Sequence, residues 1–207
     1  MKYHRIPDET IRRLPVYLRG LLFLADKGEE SISSSYLADF IGVNPWQIRK
    51  DFSYFGGFGI RGVGYNVNKL TKEIKTILKL NNGLKAALVG VGNLGSAVLA
   101  YPGFKIYGFN VAFAFDNDSK KIGKKINSIE IKDVSKLMTL KKHQIKLAII
   151  AVPRQAAQQT ADSLVKAGVT GILNFSPCYI TVPKKIKVIT VDIAMEIARL
   201  PYYMRTN

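Results

Sequence analysis

The chain is short of the residues from which most catalytic and metal sites are made. One cysteine, Cys178, in 207 residues excludes an internal disulfide and a cysteine metal cluster. It reads as a small, semi-buried hydrophobe, with a redox-reactive thiol as the alternative. There are two histidines. His4 lies in the amino-terminal tail and His143 in the polar run Lys141-Lys142-His143-Gln144, so neither falls at a predicted strand end where it would serve hydride transfer. Apolar runs such as Leu147 to Val152 are far shorter than the roughly 20 residues a bilayer requires. The first thirty residues carry scattered charges and no small-residue cleavage site, so a cytoplasmic protein is the default. Acidic residues are scarce: 15 Asp and Glu face 31 Lys and Arg, a net charge of +16. That excess suggests a polyanionic partner without locating it. Residues 1–82 hold 13 basic and 8 acidic residues, and residues 83–207 hold 18 and 7. Much of the second surplus is the lysine-rich stretch 120–146, which reads as a solvated face.

What is present is a hydrophobic share of 47%, enough for one large core or two small ones. The chain reads as two domains, 1–82 and 83–207, with Asn81-Asn82-Gly83 as the boundary. In the first, Ile11, Leu14, Leu18, Leu21, Leu22 and Ala25 recur at helical spacing, and Pro15 is expected to kink that helix or start a new turn. Ser33-Ser34-Ser35 offers N-caps for a short helix over 36–41, which Gly42 ends. Asn44-Pro45 opens a third helix through Phe55, with Ile48, Phe52 and Phe55 on one face and Trp46, Arg49, Lys50 and Ser53 on another. Gly56 to Tyr65 holds five glycines in ten residues, interleaved with Phe58, Ile60, Val63 and Tyr65, and reads as a tight hairpin. A helix over 67–80 follows.

From Leu84 the period changes. Strands are expected at 85–90, 107–115, 146–152, 171–176 and 187–191, and helices at 94–101, 133–142, 155–167 and 192–204. Alternation of this kind gives βαβ units and a mostly parallel, doubly wound sheet, so the fold class is α/β.

Two motifs carry chemistry. Two short helices around a glycine turn form a helix-turn-helix candidate, whose second helix would present Trp46, Gln47, Arg49 and Lys50 at its amino end to a major groove. Gln pairs bidentately with adenine and Arg with guanine. Arg49 and Lys50 equally suit phosphates, and a plain helical bundle with a solvated face is the competing reading. The hairpin is a candidate wing with Arg61 near its tip.

The second motif is Gly90-Val91-Gly92-Asn93-Leu94-Gly95, directly after the strand Lys85–Val89 and before a helical stretch. The first glycine permits the turn, the second admits a pyrophosphate and the third lets helix and strand pack closely. Asp116 ends the next strand, 21 residues after Gly95, where a carboxylate bonds the ribose hydroxyls and repels a 2′-phosphate. NAD(H) over NADP(H) follows, with Lys120 and Lys121 close enough to soften the preference. Val152-Pro153 ends another strand at the same sheet edge. Pro153 either starts the next helix or meets the nicotinamide half.

With both halves read, the whole chain resembles the Rex family of redox-sensing repressors. The likeness rests on the block 47–56 (Gln-Ile-Arg-Lys-Asp-Phe-Ser-Tyr-Phe-Gly), on 58–65, on the Gly90–Gly95 loop, and on Tyr101-Pro102-Gly103-Phe104, Ala114-Phe115-Asp116, Ala151-Val152-Pro153 and Asn174-Phe175-Ser176-Pro177. The resemblance implies a non-enzymatic homodimer on a palindromic operator in double-stranded DNA, with a carboxy-terminal helix swapped onto the partner. It implies DNA bound in the apo or NAD⁺ state and released on NADH binding. It also implies an aromatic at Tyr101 beside the nicotinamide, and a link across the dimer between Arg19 and Asp192. From the residues alone, Asp192 reads as the N-cap of the last helix. Two alternatives stay open: a repressor answering to another nucleotide such as a coenzyme A derivative, and an NAD-dependent enzyme with a protein-interaction domain.

Overall fold

The computed structural model describes residues 6–60 and 62–204. The chain divides into two compact units, 1–82 and 83–207.

The first unit is built on α1 (Asp8–Asp26). It runs through Pro15 as one helix, although Pro15 cannot donate to the carbonyl one turn back. Leu14, Leu18, Leu21 and Leu24 are buried, while Ile11, on the expected apolar face, is exposed. The short strand β1 (Ser31–Ile32) leads to α2 (Ser34–Ile41). Ser33 caps it by accepting from the Tyr36 N–H at 3.0 Å. Gly42 ends it at φ +71°, in the left-handed region that glycine enters freely. Next comes α3 (Pro45–Ser53), where the Asn44 side chain accepts from the Trp46 N–H at 2.8 Å and Pro45 takes the first helical position. It stops two residues short of the expected end. The expected hairpin is smaller than its glycine pattern implied: among the described residues it holds one bridge, Ile60 to Gly64. Strand β2 (Tyr65–Asn66) pairs instead with β1, antiparallel, Ile32 opposite Tyr65. The unit closes with α4 (Val67–Ile77), which packs on α1.

The second unit is a Rossmann layer structure. Its strands are β3 (Leu84–Val89), β4 (Phe109–Asp116), β5 (Lys125–Ile126), β6 (Ile129–Asp133), β7 (Leu147–Ile150), β8 (Gly171–Asn174) and β9 (Lys187–Thr190). They lie in the order β5-β6-β4-β3-β7-β8-β9, parallel except for β5. The period-2 alternation of each strand feeds two cores. Ala87, Val89, Ala148 and Ile150 face one way, with Leu140, Ala161 and Leu164. Leu88 and Ile149 face the other, with Leu99, Val111 and Ala114. The helices are α5 (Asn93–Ala100), α6 (Thr139–Lys142), α7 (Arg154–Lys166), α8 (Ile193–Ala198) and α9 (Leu200–Tyr203).

Three expectations need correction here. The helix expected over 133–142 is a 3₁₀ stretch, Val134–Met138, followed by the single turn α6. Asp133 caps the 3₁₀ stretch, its side chain accepting from the Ser135 N–H at 2.7 Å. The stretch read as a solvated lysine face contains the β5–β6 hairpin, whose Ile126, Ile129 and Ile131 pack inward between the lysines. The single helix expected over 192–204 is two, α8 and α9, broken where Pro201 follows Leu200.

Candidate functional site

In the first unit, α3 presents Trp46, Arg49 and Lys50 to solvent, with Trp46 57% exposed. Two of these side chains are held in place before any partner arrives. The Arg49 guanidinium donates to the Ser34 hydroxyl at 2.8 Å, and the Lys50 ammonium lies 4.9 Å from the Trp46 ring centroid. Gln47 sits differently from its sequence expectation. Its amide donates one N–H inward to Asp51 at 2.9 Å, which turns the side chain toward the helix and leaves its second N–H and its carbonyl oxygen to meet a base. Arg61 lies outside the described residues.

Asp51 is the residue sequence reasoning passed over. Its fully buried carboxylate accepts from the Thr10 hydroxyl (2.9 Å), the Arg13 guanidinium (2.6 and 2.8 Å), the Tyr17 hydroxyl (2.5 Å) and Gln47. Burial pushes the carboxyl up, and the hydrogen bonds from Arg13, Tyr17, Thr10 and Gln47 outweigh it, lowering it to about 2. The same network raises the Tyr17 hydroxyl, chiefly through burial. It ties α3 to α1 by charge-assisted bonds. The available signal was its position, i+3 from Ile48 on the buried face of an otherwise polar helix.

In the second unit, a cavity of about 740 Å³ opens where β3 departs to β4 on one side and neighbours β7 on the other, at their carboxyl ends. Gly90, Gly92, Asp116, Val152 and Pro153 all line it. The glycines fit a dinucleotide for separate reasons. Gly90 has φ +94°, and a Cβ there would run into the Ala151 carbonyl. A Cβ on Gly95 would strike the Gly90 carbonyl, so this residue closes the loop onto α5. At Gly92 a Cβ would meet nothing within 4 Å, which leaves the bare backbone facing open space in the cavity, with room for a ligand group to approach. Asn93 and Leu94 open α5, where the first amides have no intrahelical acceptor. Val91 is buried, and its N–H is spent on Asp116 at 2.7 Å.

Asp116 therefore has two tasks. One oxygen accepts from Val91 and from the Lys121 ammonium (3.3 Å), and the other accepts from the Asp118 N–H (2.9 Å). Burial raises its carboxyl, and the Asp118 and Val91 amides with Lys121 more than reverse that, so it stays below the usual carboxylate range. Lys121 is in the cavity lining; Lys120 is not. Sequence reading missed the opposite wall: Ser135 from the 3₁₀ stretch, and Ala156, Gln159, Thr160 and Ser163 from α7. Their i, i+3, i+4, i+7 spacing was a legible stripe of small and polar residues. Pro153 stands at the N-cap of α7 and lines the cavity.

Tyr101 does not join these residues. It ends α5, is half-exposed, and packs edge-on against Phe104 at 5.1 Å. Arg19 is exposed beside a smaller hollow of about 280 Å³ with Gly20, Phe23, Phe40 and Ile41. Asp192 caps α8, accepting from the Ala194 N–H at 3.0 Å. No helix among the described residues is long and apolar enough to cross a membrane, and no metal-ligating cluster occurs among them.

A helix-turn-helix unit with a short wing, followed by a Rossmann unit with a dinucleotide-shaped cavity, defines a class: nucleotide-responsive regulators built in one chain. Residues 5–53 match the family described as "Putative DNA-binding protein N-terminus" and residues 81–178 the family described as "CoA binding domain". The redox-sensing transcriptional repressor Rex of Carboxydothermus hydrogenoformans is 48% identical over the full length of both chains. That of Desulforamulus reducens is 44% identical over 98% of this chain and 97% of its own. The solved structure of RSP with β-NAD⁺ and operator DNA is 36% identical, covers 96% of this chain and 92% of its own, and superposes with a TM-score of 0.89. RSP in complex with β-NADH superposes at 0.87, with 34% identity over 96% of this chain and 94% of its own. The chain belongs to the Rex family of redox-sensing transcriptional repressors.

Proposed function

We propose that this protein is a cytoplasmic homodimeric repressor that holds a palindromic operator in the apo or NAD⁺ state and releases it when NADH binds. The observation that carries the reading is the buried Asp116 bonded directly to the Gly90–Gly95 loop in the wall of a cavity of about 740 Å³. A carboxylate at the ribose suits NAD(H) and opposes a nucleotide whose ribose bears a phosphate. That disfavours both NADP(H) and coenzyme A, despite the family model matched by the second unit. Gly90, Gly92, Gly95 and the amides of Asn93 and Leu94 would hold the pyrophosphate. Val152 and Pro153 would border the nicotinamide.

Bound cofactor would supply one thing, the charge of its nicotinamide ring: cationic when oxidised, neutral when reduced. The pyrophosphate contacts are the same in both forms and do not discriminate. Apolar surroundings near Val152 would favour the neutral ring. A ligand shifts a two-state dimer only by its difference in affinity for the two states. Moving it from 1:99 to 99:1 takes about 5.5 kcal/mol of such preference. Exposed Ile193, Ile197 and Leu200 on α8 and α9 suit burial against a partner subunit, and half-exposed Tyr101 is open to reach one. Arg19 and Asp192 would link the subunits. On α3, Trp46, Arg49 and Lys50 would face the operator, with Gln47 chiefly positioning the helix and Arg61 at the wing.

Calorimetric titration with NADH, NAD⁺, NADPH and coenzyme A tests the reading. Tight NADH binding, weaker NAD⁺ binding and release of operator DNA by NADH alone are expected. Equal affinity for NADH and NAD⁺ overturns redox sensing by occupancy, and binding of coenzyme A alone changes the signal.

A further inference from the structure

The Rossmann unit separates its charges along the strand direction. Six parallel strands put all their amino ends at one edge and the cofactor cavity at the other, about 20 Å away along β3. The segments entering five of the six parallel strands, all but β6, bring lysine at the amino edge. Lys85 enters β3 and Lys105 precedes β4. Lys141, Lys142 and Lys146 lead into β7, and Lys166 ends α7 before β8. Lys184, Lys185 and Lys187 lead into β9. All nine are exposed. None of the segments 83–85, 100–109, 139–147, 164–171 and 178–187 holds an aspartate or glutamate.

The seven acids of the unit lie elsewhere. Asp116, Asp133 and Asp192 finish or follow strands, Asp118 flanks the cavity, and Glu130, Asp162 and Glu196 sit within β6, α7 and α8. Ordinary structural needs explain few of the lysines. The carboxyl end of α7 accounts for Lys166, and the exposed edge strand for Lys187. The single turn α6 has little dipole to draw Lys141 and Lys142, and the turn residues Lys184 and Lys185 complete no helix.

We propose that this amino edge is a second polyanion surface, which binds the phosphate backbone of double-stranded DNA without reading sequence. It rests on the reading of the chain as a DNA-binding protein. Eight cations besides Lys187, with no acids interleaved in their segments, suit the uniform charge of a duplex, whose binding releases condensed counterions. An acidic protein partner would be expected to meet some complementary acids and apolar anchors. A lipid surface would call for a denser apolar patch than the scattered Leu84, Tyr101, Ile106 and Tyr179 of these segments. The helix-turn-helix supplies register, and the second surface adds affinity that falls steeply with salt.

Fluorescence anisotropy of the full-length protein on a long random-sequence duplex, between about 50 and 200 mM salt, tests this. The variant K141Q/K142Q/K184Q/K185Q should bind more weakly, with a logarithmic salt slope shallower by about 2 to 4. Its NADH titration should match wild type, because these lysines lie away from the cavity. The double reversal K184E/K185E repeats the test with two exposed turn residues if the quadruple variant folds poorly. An unchanged slope in these variants, beside a reduced slope in Lys50→Gln, overturns the second surface and leaves the DNA-binding reading standing. A wild type with no salt-dependent duplex binding removes both. Loss of binding to phosphatidylserine vesicles, with duplex binding intact, assigns the edge to membranes and overturns the proposal.

Discussion

Asp51 and Asp116 are buried carboxylates with opposite consequences. Asp51 is saturated by its own chain, so its contribution is to stability. Its folded value of about 2 lies below the roughly 3.9 of an unfolded aspartate. The stabilisation is therefore complete above about pH 4 and is lost as pH falls toward 2. It amounts to about 2 kcal/mol, since the group is fully buried. Thermal melts of wild type and Asp51→Asn across that window should converge at low pH and diverge above it. Equal pH dependence would remove Asp51 from the balance. Asp116 lines the cavity and is paired with Lys121, so on the proposed reading its contribution is to selectivity. Asp116→Ala should blunt the preference for NADH over NADPH. Lys121→Ala should sharpen it, weakening NADPH by about tenfold through loss of one charge-assisted contact, with NADH affected much less. Titrations of both variants with both nucleotides decide this.

At the scale of elements, the glycine loop permits a sharper experiment than the usual alanine scan. Gly90→Ala and Gly95→Ala push a methyl into backbone carbonyls, so both are expected to lower the melting temperature as well as cofactor affinity. Gly92→Ala meets open space in the folded chain and only obstructs an approaching phosphate. Its melting curve should match wild type while NADH affinity drops more than tenfold; a drop in both would place Gly92 in the fold rather than the site. Elements were legible in the sequence wherever a local signal set them. The Asn44-Pro45 start of α3, the Ser33 cap of α2 and the alternation in β3 and β7 are of this kind. The failures share a cause. Val134–Met138 looks helical by composition but is a 3₁₀ stretch packed against α7, β4 and β6, and β5 with β6 is visible only through pairing with β4. The site was half legible for the same reason. Gly90, Gly92 and Asp116 are local to a motif. Ser135, Gln159 and Thr160 come to the cavity wall only when the chain folds. The bond from Gln47 to Asp51 is an i, i+4 pair within α3 whose direction is set by the burial of Asp51.

At the scale of the whole molecule, the apolar residues of α8 and α9 remain to be covered. Ile193, Ile197 and Leu200 are each more than half exposed. Covering three such side chains contributes about 1.5–3 kcal/mol each when burial is complete. Ile197→Asp with Leu200→Asp should shift sedimentation from dimer toward monomer and abolish operator binding, while NADH still binds; a dimer that survives both substitutions would place the interface elsewhere. Trp46, the single tryptophan of the chain, stands at the start of α3 beneath the Lys50 ammonium. All tryptophan emission from this protein therefore originates at one point on the surface proposed to meet DNA. Reduced nicotinamide absorbs where indole emits and the oxidised ring does not, so the protein carries a reporter in one unit and, when charged with NADH, a second in the other. Quenching of Trp46 on addition of operator DNA, and the fluorescence of reduced nicotinamide itself, would follow both halves of the switch in one cuvette with no label attached.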